Sequence, residues 1–135
     1  MKAEQITDLL RKLKEEKYTF GKSLRYVRKS QGVSLRSVAH AVNKTSTYIS
    51  DIERGNNRAP EIGLLEKLLD AVFLDESAVE LRNYLYDLAA EERKEVAGDI
   101  AEYIRKQEKL RTVIRLAKKK DESGEIWKEC IKMLQ

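Results

Sequence analysis

The chain has 135 residues, 41% of them hydrophobic and 37% charged, with one proline, six glycines, one cysteine and a formal net charge of +4. That length suits one ordinary domain with a helical extension, and the hydrophobic share suffices for a core. Scarce proline and glycine, and the want of alternating apolar patterns, argue against sheets joined by tight turns and leave an all-α fold.

Residues 3–16 place Ile6, Leu9, Leu10 and Leu13 at helical spacing among charged residues. This is an amphipathic helix whose stripe docks either on the domain that follows or on a second subunit. Thr19 is placed to cap the next helix, with Phe20, Leu24 and Val27 buried and Lys22, Arg25, Arg28 and Lys29 as exposed cations. That helix ends at Gln31-Gly32, where glycine supplies a left-handed C-terminal cap. Ser34 opens a further helix as N-cap with Val33 as hydrophobic staple, and Leu35, Val38, Ala39 and Val42 follow the i, i+3, i+4, i+7 rhythm. Asn43-Lys44-Thr45 is too short for anything but a tight helix-to-helix turn, with Asn43 left-handed. Thr45 then caps a helix from Ser46 to Glu53, which buries Ile49 and Ile52, shows solvent Thr47, Ser50, Asp51 and Arg54, and stops at Gly55. After a polar loop, Pro60 starts a helix carrying Leu64, Leu65, Leu68, Leu69 and Val72, and Phe73 and Leu74 close the core.

The second half is helical as well. Val79, Leu81, Leu85 and Leu88 predict a helix over 76–89. Ile100-Tyr103-Ile104, Leu110-Val113-Ile114-Ala117 and Ile126-Trp127-Ile131-Leu134 predict three more, with Asp99 as an N-cap and Asp121 to Gly124 as a boundary. Lys118-Lys119-Lys120 reads as a solvated helix end favoured by the helix dipole, or as an auxiliary phosphate contact. The segments are thus 1–17, an N-terminal amphipathic helix; 18–75, a helix-turn-helix domain; and 76–135, a helical extension for dimerisation or partner binding.

The charge is unevenly spread. Residues 17–58 hold 9 Lys/Arg against 2 Asp/Glu, whereas residues 75–135 hold 13 against 14. Positive charge gathers around the helix pair, as a footprint on a polyanion requires. Catalytic signs are missing: there is no metal-ligand spacing, no nucleophile with a base and no glycine-rich phosphate loop. His40 lacks a Cys or His partner, and Cys130 reads as a small core hydrophobe. The lone cysteine leaves no internal disulfide and suits a reducing compartment. No apolar run approaches the ~20 residues of a membrane span. The expectation is a soluble, cytoplasmic protein, not an enzyme, with no cofactor, no metal and no membrane partner.

Residues 20–74 resemble the helix-turn-helix domain of the Cro and phage-repressor type found in many bacterial regulators. The matching features are Ser34 opening one helix, Val38-Ala39 within it, and the run Tyr48-Ile49-Ser50-Asp51-Ile52-Glu53-Arg54-Gly55 followed by Pro60 and a leucine-rich helix. The residues around Asp99 to Ile104, Arg111 to Lys118 and Trp127 are similar to tails on regulators from bacterial mobile elements. The sequence departs from the family where glutamines often open the two helices: here stand Leu35, Thr45 and Ser46. The turn carries Asn43 and Lys44 in place of glycine and an apolar residue.

The resemblance implies a lambda-repressor-like domain binding double-stranded DNA with the helix Ser46–Glu53 in the major groove. Ser46, Thr47, Ser50 and Asp51 would then meet base edges, with Lys44 and Thr45 at the mouth of the helix. Asp51 accepts from a cytosine amino group, orients a neighbouring Arg, or makes a salt bridge within the protein. Arg54, Asn56, Asn57 and Arg58 would touch phosphates or, for an arginine, guanine, and Arg36 and Tyr48 would set the register on the backbone. Glu53 braces the fold. Family regulators usually dimerise, which implies a homodimer repressing from a palindromic operator, controlled by autoregulation or a regulatory partner protein. The rival readings are an antitoxin that binds DNA and wraps a toxin, and a protein- or RNA-binding module that keeps the fold.

Overall fold

The computed structural model describes residues 2–73, 77–121 and 123–135. Regular structure among them is α-helical: α1 (Ala3–Glu16), α2 (Phe20–Ser30), α3 (Leu35–Ala41), α4 (Ser46–Glu53), α5 (Ile62–Val72), α6 (Val79–Arg93), α7 (Gly98–Lys106), α8 (Glu108–Lys120) and α9 (Ile126–Leu134). The all-α class expected from composition is what the chain adopts. It divides into two units, Met1–Asp99 and Ile100–Gln135.

In the first unit, helix starts follow the capping hydroxyls. Thr19, Ser34 and Thr45 each have extended backbone and accept from the N–H three residues on: Lys22 at 3.2 Å, Ser37 at 3.1 Å and Tyr48 at 3.1 Å. Each such bond satisfies a donor the helix leaves orphaned and contributes about 1 kcal/mol. The stops that break α2, α3 and α4 apart are left-handed residues, Gly32 at φ 69°, Asn43 at φ 57° and Gly55 at φ 81°.

The core is built from Phe20, Leu24 and Val27 of α2, Val38 of α3, Ile49 and Ile52 of α4, Leu68, Leu69 and Val72 of α5, and Leu81 and Leu85 of α6. The α1 stripe joins it. Ile6, Leu9 and Leu13 are buried, α1 packs on α6, and the Lys14 ammonium sits 5.6 Å from the Tyr84 ring centre. Of the two fates open to that stripe, docking on its own domain is the one adopted. Burying three such side chains contributes about 1.5–3 kcal/mol each, enough to hold a helix that is marginal alone.

The backbones of α2 and α4 approach closely at Gly21. A Cβ on Gly21 would stand 2.3 Å from the Ile52 carbonyl oxygen and 2.8 Å from that of Glu53. Only a residue without a side chain lets the start of α2 lie against the end of α4.

Several expected boundaries move. Pro60 is buried ahead of α5 rather than opening it; Glu61 is the N-cap, extended, with its carbonyl accepting from Leu65 at 2.9 Å. Glu61 keeps extended backbone, φ −66° and ψ 163°, so the first helical residue is Ile62. Asp99 lies inside the first turn of α7, not at its cap, where its charge still suits the helix dipole. Leu74, the expected 75/76 segment boundary and the start of the helix expected over 76–89 lie outside the described residues; α6 itself runs to Arg93, four residues past the expected end.

In the second unit, Arg111 of α8 donates to the carbonyls of Ile104, at 3.1 Å, and of Arg105, closing the end of α7. The Asp121 carboxylate accepts from the Ser123 hydroxyl at 2.6 Å and the Ile126 N–H at 2.9 Å, tying the connection to the start of α9. Cys130 is half-buried rather than a core residue, because no described residue of this unit is buried.

Candidate nucleic-acid interface

Helix α4 is amphipathic over only eight residues. Ile49 and Ile52 face the core, and Glu53 is buried beside them. Helical geometry therefore turns Thr47, Ser50, Asp51 and Arg54 to the opposite side. Ser46, Thr47 and Arg54 are exposed, and Ser50, Asp51 and Tyr48 are half-buried. The turn residues Lys44 and Thr45 are exposed, as are Arg36 in the first turn of α3 and Asn56, Asn57 and Arg58 beyond α4. Eleven of the twelve candidate residues thus lie on α4 or directly flank it, and Arg36 lies on α3.

The orientation of α4 is set by an ion pair that the sequence half-disclosed. Arg28 and Glu53 are 7% and 4% exposed, and the guanidinium donates twice to the carboxylate, Nε to Oε2 at 2.7 Å and Nη2 to Oε1 at 2.9 Å. The third guanidinium nitrogen donates to the Val33 carbonyl at 2.9 Å. One side chain therefore joins α2, the loop into α3 and the last residue of α4. Such a fork-to-carboxylate geometry fixes angles as well as distances. Glu53 is the internal brace expected of it. Arg28 is not an exposed cation, because the carboxylate needs a partner once α4 is packed; Lys22, Arg25 and Lys29 remain on the outer side of α2.

Around the mouth of α4, the Lys44 ammonium lies 5.5 Å from the Tyr48 ring centre, which holds the cation beside the helix start. The Thr45 hydroxyl is committed to its cap bond with Tyr48. On the exposed face, Arg54 donates to Asp51 at 3.1 Å, so the carboxylate orients a neighbouring arginine. The loop that follows is tied down at both ends. The N–H groups of Asn56 and Asn57 donate to the Asp51 carbonyl, at 2.8 and 3.2 Å. Ala59 is buried, its N–H donates to the Glu92 carboxylate at 3.0 Å, and its carbonyl accepts from Arg93 at 3.4 Å. Arg58 is therefore carried on an anchored loop. The Ala59 clamp had no sequence signal, because its partners lie 33 and 34 residues away.

The first unit is also polar in charge. Residues 17–58 hold 9 Lys/Arg against 2 Asp/Glu, and residues 59–99 hold 4 against 11. The positive half contains α2, α3 and α4. Among the described residues no group of three or more His, Cys, Asp or Glu could hold a metal ion, and no helix is long and apolar enough to cross a membrane.

Residues 24–78 match the family model described as helix-turn-helix, the Cro and phage-repressor type. The match runs from Leu24 in α2 to Ala78 ahead of α6, and so contains α3, the turn, α4 and α5. This stretch is a DNA-binding helix-turn-helix domain of the kind that regulates transcription. No curated protein and no solved structure matches the chain.

Proposed function

We propose that the protein is a sequence-specific transcriptional repressor that binds a palindromic operator as a homodimer, with α4 of each copy in a major groove. The observation that carries this reading is the polar face of α4, held at a fixed angle by the buried Arg28–Glu53 pair at the centre of the basic half. Ser46, Thr47 and Ser50 meet base edges through hydroxyls that donate or accept. Asp51 keeps Arg54 aimed, and Arg54 reads guanine or grips a phosphate. Arg36, Lys44, Tyr48, Asn56, Asn57 and Arg58 contact the backbone and set the register, and Thr45 fixes the start of the helix. The protein works in the cytoplasm, where its DNA lies.

One domain with one short helix makes a small interface, so specificity calls for two half-sites about 34 Å apart. Sedimentation with duplexes holding one or two half-sites tests this. The expected result is a dimer that binds the palindrome far more tightly than the half-site. A monomer that binds a single half-site and gains nothing from the second would refute the homodimer.

A further inference from the structure

Three cations on the outer face of α2 are left without partners. Lys22, Arg25 and Lys29 stand at i, i+3 and i+7 and so form one stripe, exposed and without an ion pair among the described residues. α2 carries no Asp or Glu, whereas Arg11 and Lys12 of α1 are paired with Asp8 and Glu16 at 3.1 and 3.2 Å. Like charges one turn apart repel, so the stripe is favoured by an anion laid along it.

The three cations line a cleft of about 760 Å³, and Arg54 and Gly55, at the end of α4, line it with them. The Lys22 ammonium lies 5.9 Å from the Tyr18 ring centre, which holds that cation beside the cleft. The two carboxylates in the lining are engaged elsewhere: Glu53 takes both bonds from Arg28, and Glu92 accepts from the Ala59 N–H at 3.0 Å. Lys22, Arg25 and Lys29 are therefore not neutralised from within the cleft. From Lys22 to Lys29 the helix rises about 10 Å. A DNA strand carries a phosphate about every 3.4 Å of axis, so a stripe of this length meets about two or three.

We propose that Lys22, Arg25 and Lys29 hold phosphates of the DNA that flanks the half-site read by α4. This rests on the reading of α4 proposed above and extends its footprint outward. The cleft begins at Arg54, where the reading face ends, so the two surfaces are continuous. An acidic protein segment would satisfy the same cations, but a duplex is the polyanion that α4 already holds beside them. The contact carries no sequence information; it adds affinity and fixes orientation.

Fluorescence anisotropy over a range of salt tests it on the full chain and on Lys22→Gln/Arg25→Gln/Lys29→Gln, with helicity checked by circular dichroism. Arg25→Gln alone serves where the triple change disturbs the fold. The probes are two duplexes holding the site selected from random DNA, one trimmed to it and one extended by a full helical turn at each end. The native protein is expected to bind the extended duplex more tightly. The triple variant should lose that gain, keep the selected sequence, and show a salt slope shallower by about 2–3; Arg25→Gln alone should lower it by about 1. Arg11→Gln/Lys14→Gln/Lys67→Gln removes as much charge from other helices and should keep both the gain and the slope. A native protein that selects no sequence would overturn the reading of α4 and this stripe with it. A native protein that selects a site but gains nothing from the flanks keeps the reading and overturns the stripe. So does a triple variant with the native gain and slope, or a control that loses as much. A triple variant that binds both duplexes as the native protein does but dissociates in sedimentation would assign the stripe to an acidic protein surface, and would also overturn the proposal.

Discussion

Glu53→Ala is the sharpest probe of how the reading helix is held. The substitution leaves the Arg28 guanidinium, 7% exposed, without the two carboxylate bonds at 2.7 and 2.9 Å. Removing one partner of a buried pair costs about 3–5 kcal/mol, because an uncompensated charge remains out of water. Arg28 keeps its bond to the Val33 carbonyl at 2.9 Å, which places the expected loss at the low end, about 3 kcal/mol. For a unit of this size each kcal/mol is worth about 4–8 °C, so the midpoint should fall by about 12–24 °C. Urea denaturation followed by circular dichroism measures the loss directly, and an unchanged slope confirms that the two-state description holds. The pair Arg28→Met/Glu53→Leu removes both charges while keeping volume, and should recover most of the stability. A loss below about 1 kcal/mol for Glu53→Ala would mean that the pair is solvated and does not hold α4. A double variant as unstable as the single would refute the view that the cost lies in the orphaned charge.

The remaining expectations concern close packing and a titrating cap. Gly21→Ala places a methyl 2.3 Å from the Ile52 carbonyl oxygen and should destabilise by about 2 kcal/mol or more, whereas Gly63→Ala, with nothing within 4 Å, should be neutral or stabilising. Equal effects in thermal unfolding would contradict the close α2–α4 approach. Asp121 is held below the ordinary 3.8 by the Ser123 hydroxyl and then by the Ile126 N–H. A carboxylate depressed in the folded state contributes stability above its unfolded value and loses it as pH falls through the folded one. The start of α9 should therefore fray in acid below that range, and in Asp121→Ala at any pH. Trp127, the single tryptophan, reports it by fluorescence. A Trp127 signal that stays flat down to about pH 2 in the native chain would refute the cap.

Local signals carried much of the fold. Thr19, Ser34 and Thr45 act as caps, and Gly32, Asn43 and Gly55 turn left-handed, because both roles depend on one residue and its nearest neighbours. The apolar rhythm likewise foretold Ile49 and Ile52 inside and Thr47 outside. Features that depend on distant residues were harder to read. Arg28 looked like one more surface cation because Glu53 stands 25 residues away. Gly21 gave no sign that α4 would press against it, and the Ala59 clamp depends on α6. Residue preferences for helix starts also misled at Pro60 and Asp99, because they mark where a helix can begin but leave its first residue to backbone geometry.

The central claim, that α4 reads a sequence in the major groove, is tested most directly by selecting bound sites from random DNA with the native protein, Thr47→Ala and Arg58→Ala. The native protein should select a palindrome. Thr47→Ala should lose preference at specific positions within each half-site while keeping its salt dependence. Arg58→Ala should keep the sequence and weaken binding uniformly, with a shallower salt slope. A native protein that selects no sequence, or two variants that select the same sites with the same affinity as the native protein, would contradict the assignment of α4 as the reader.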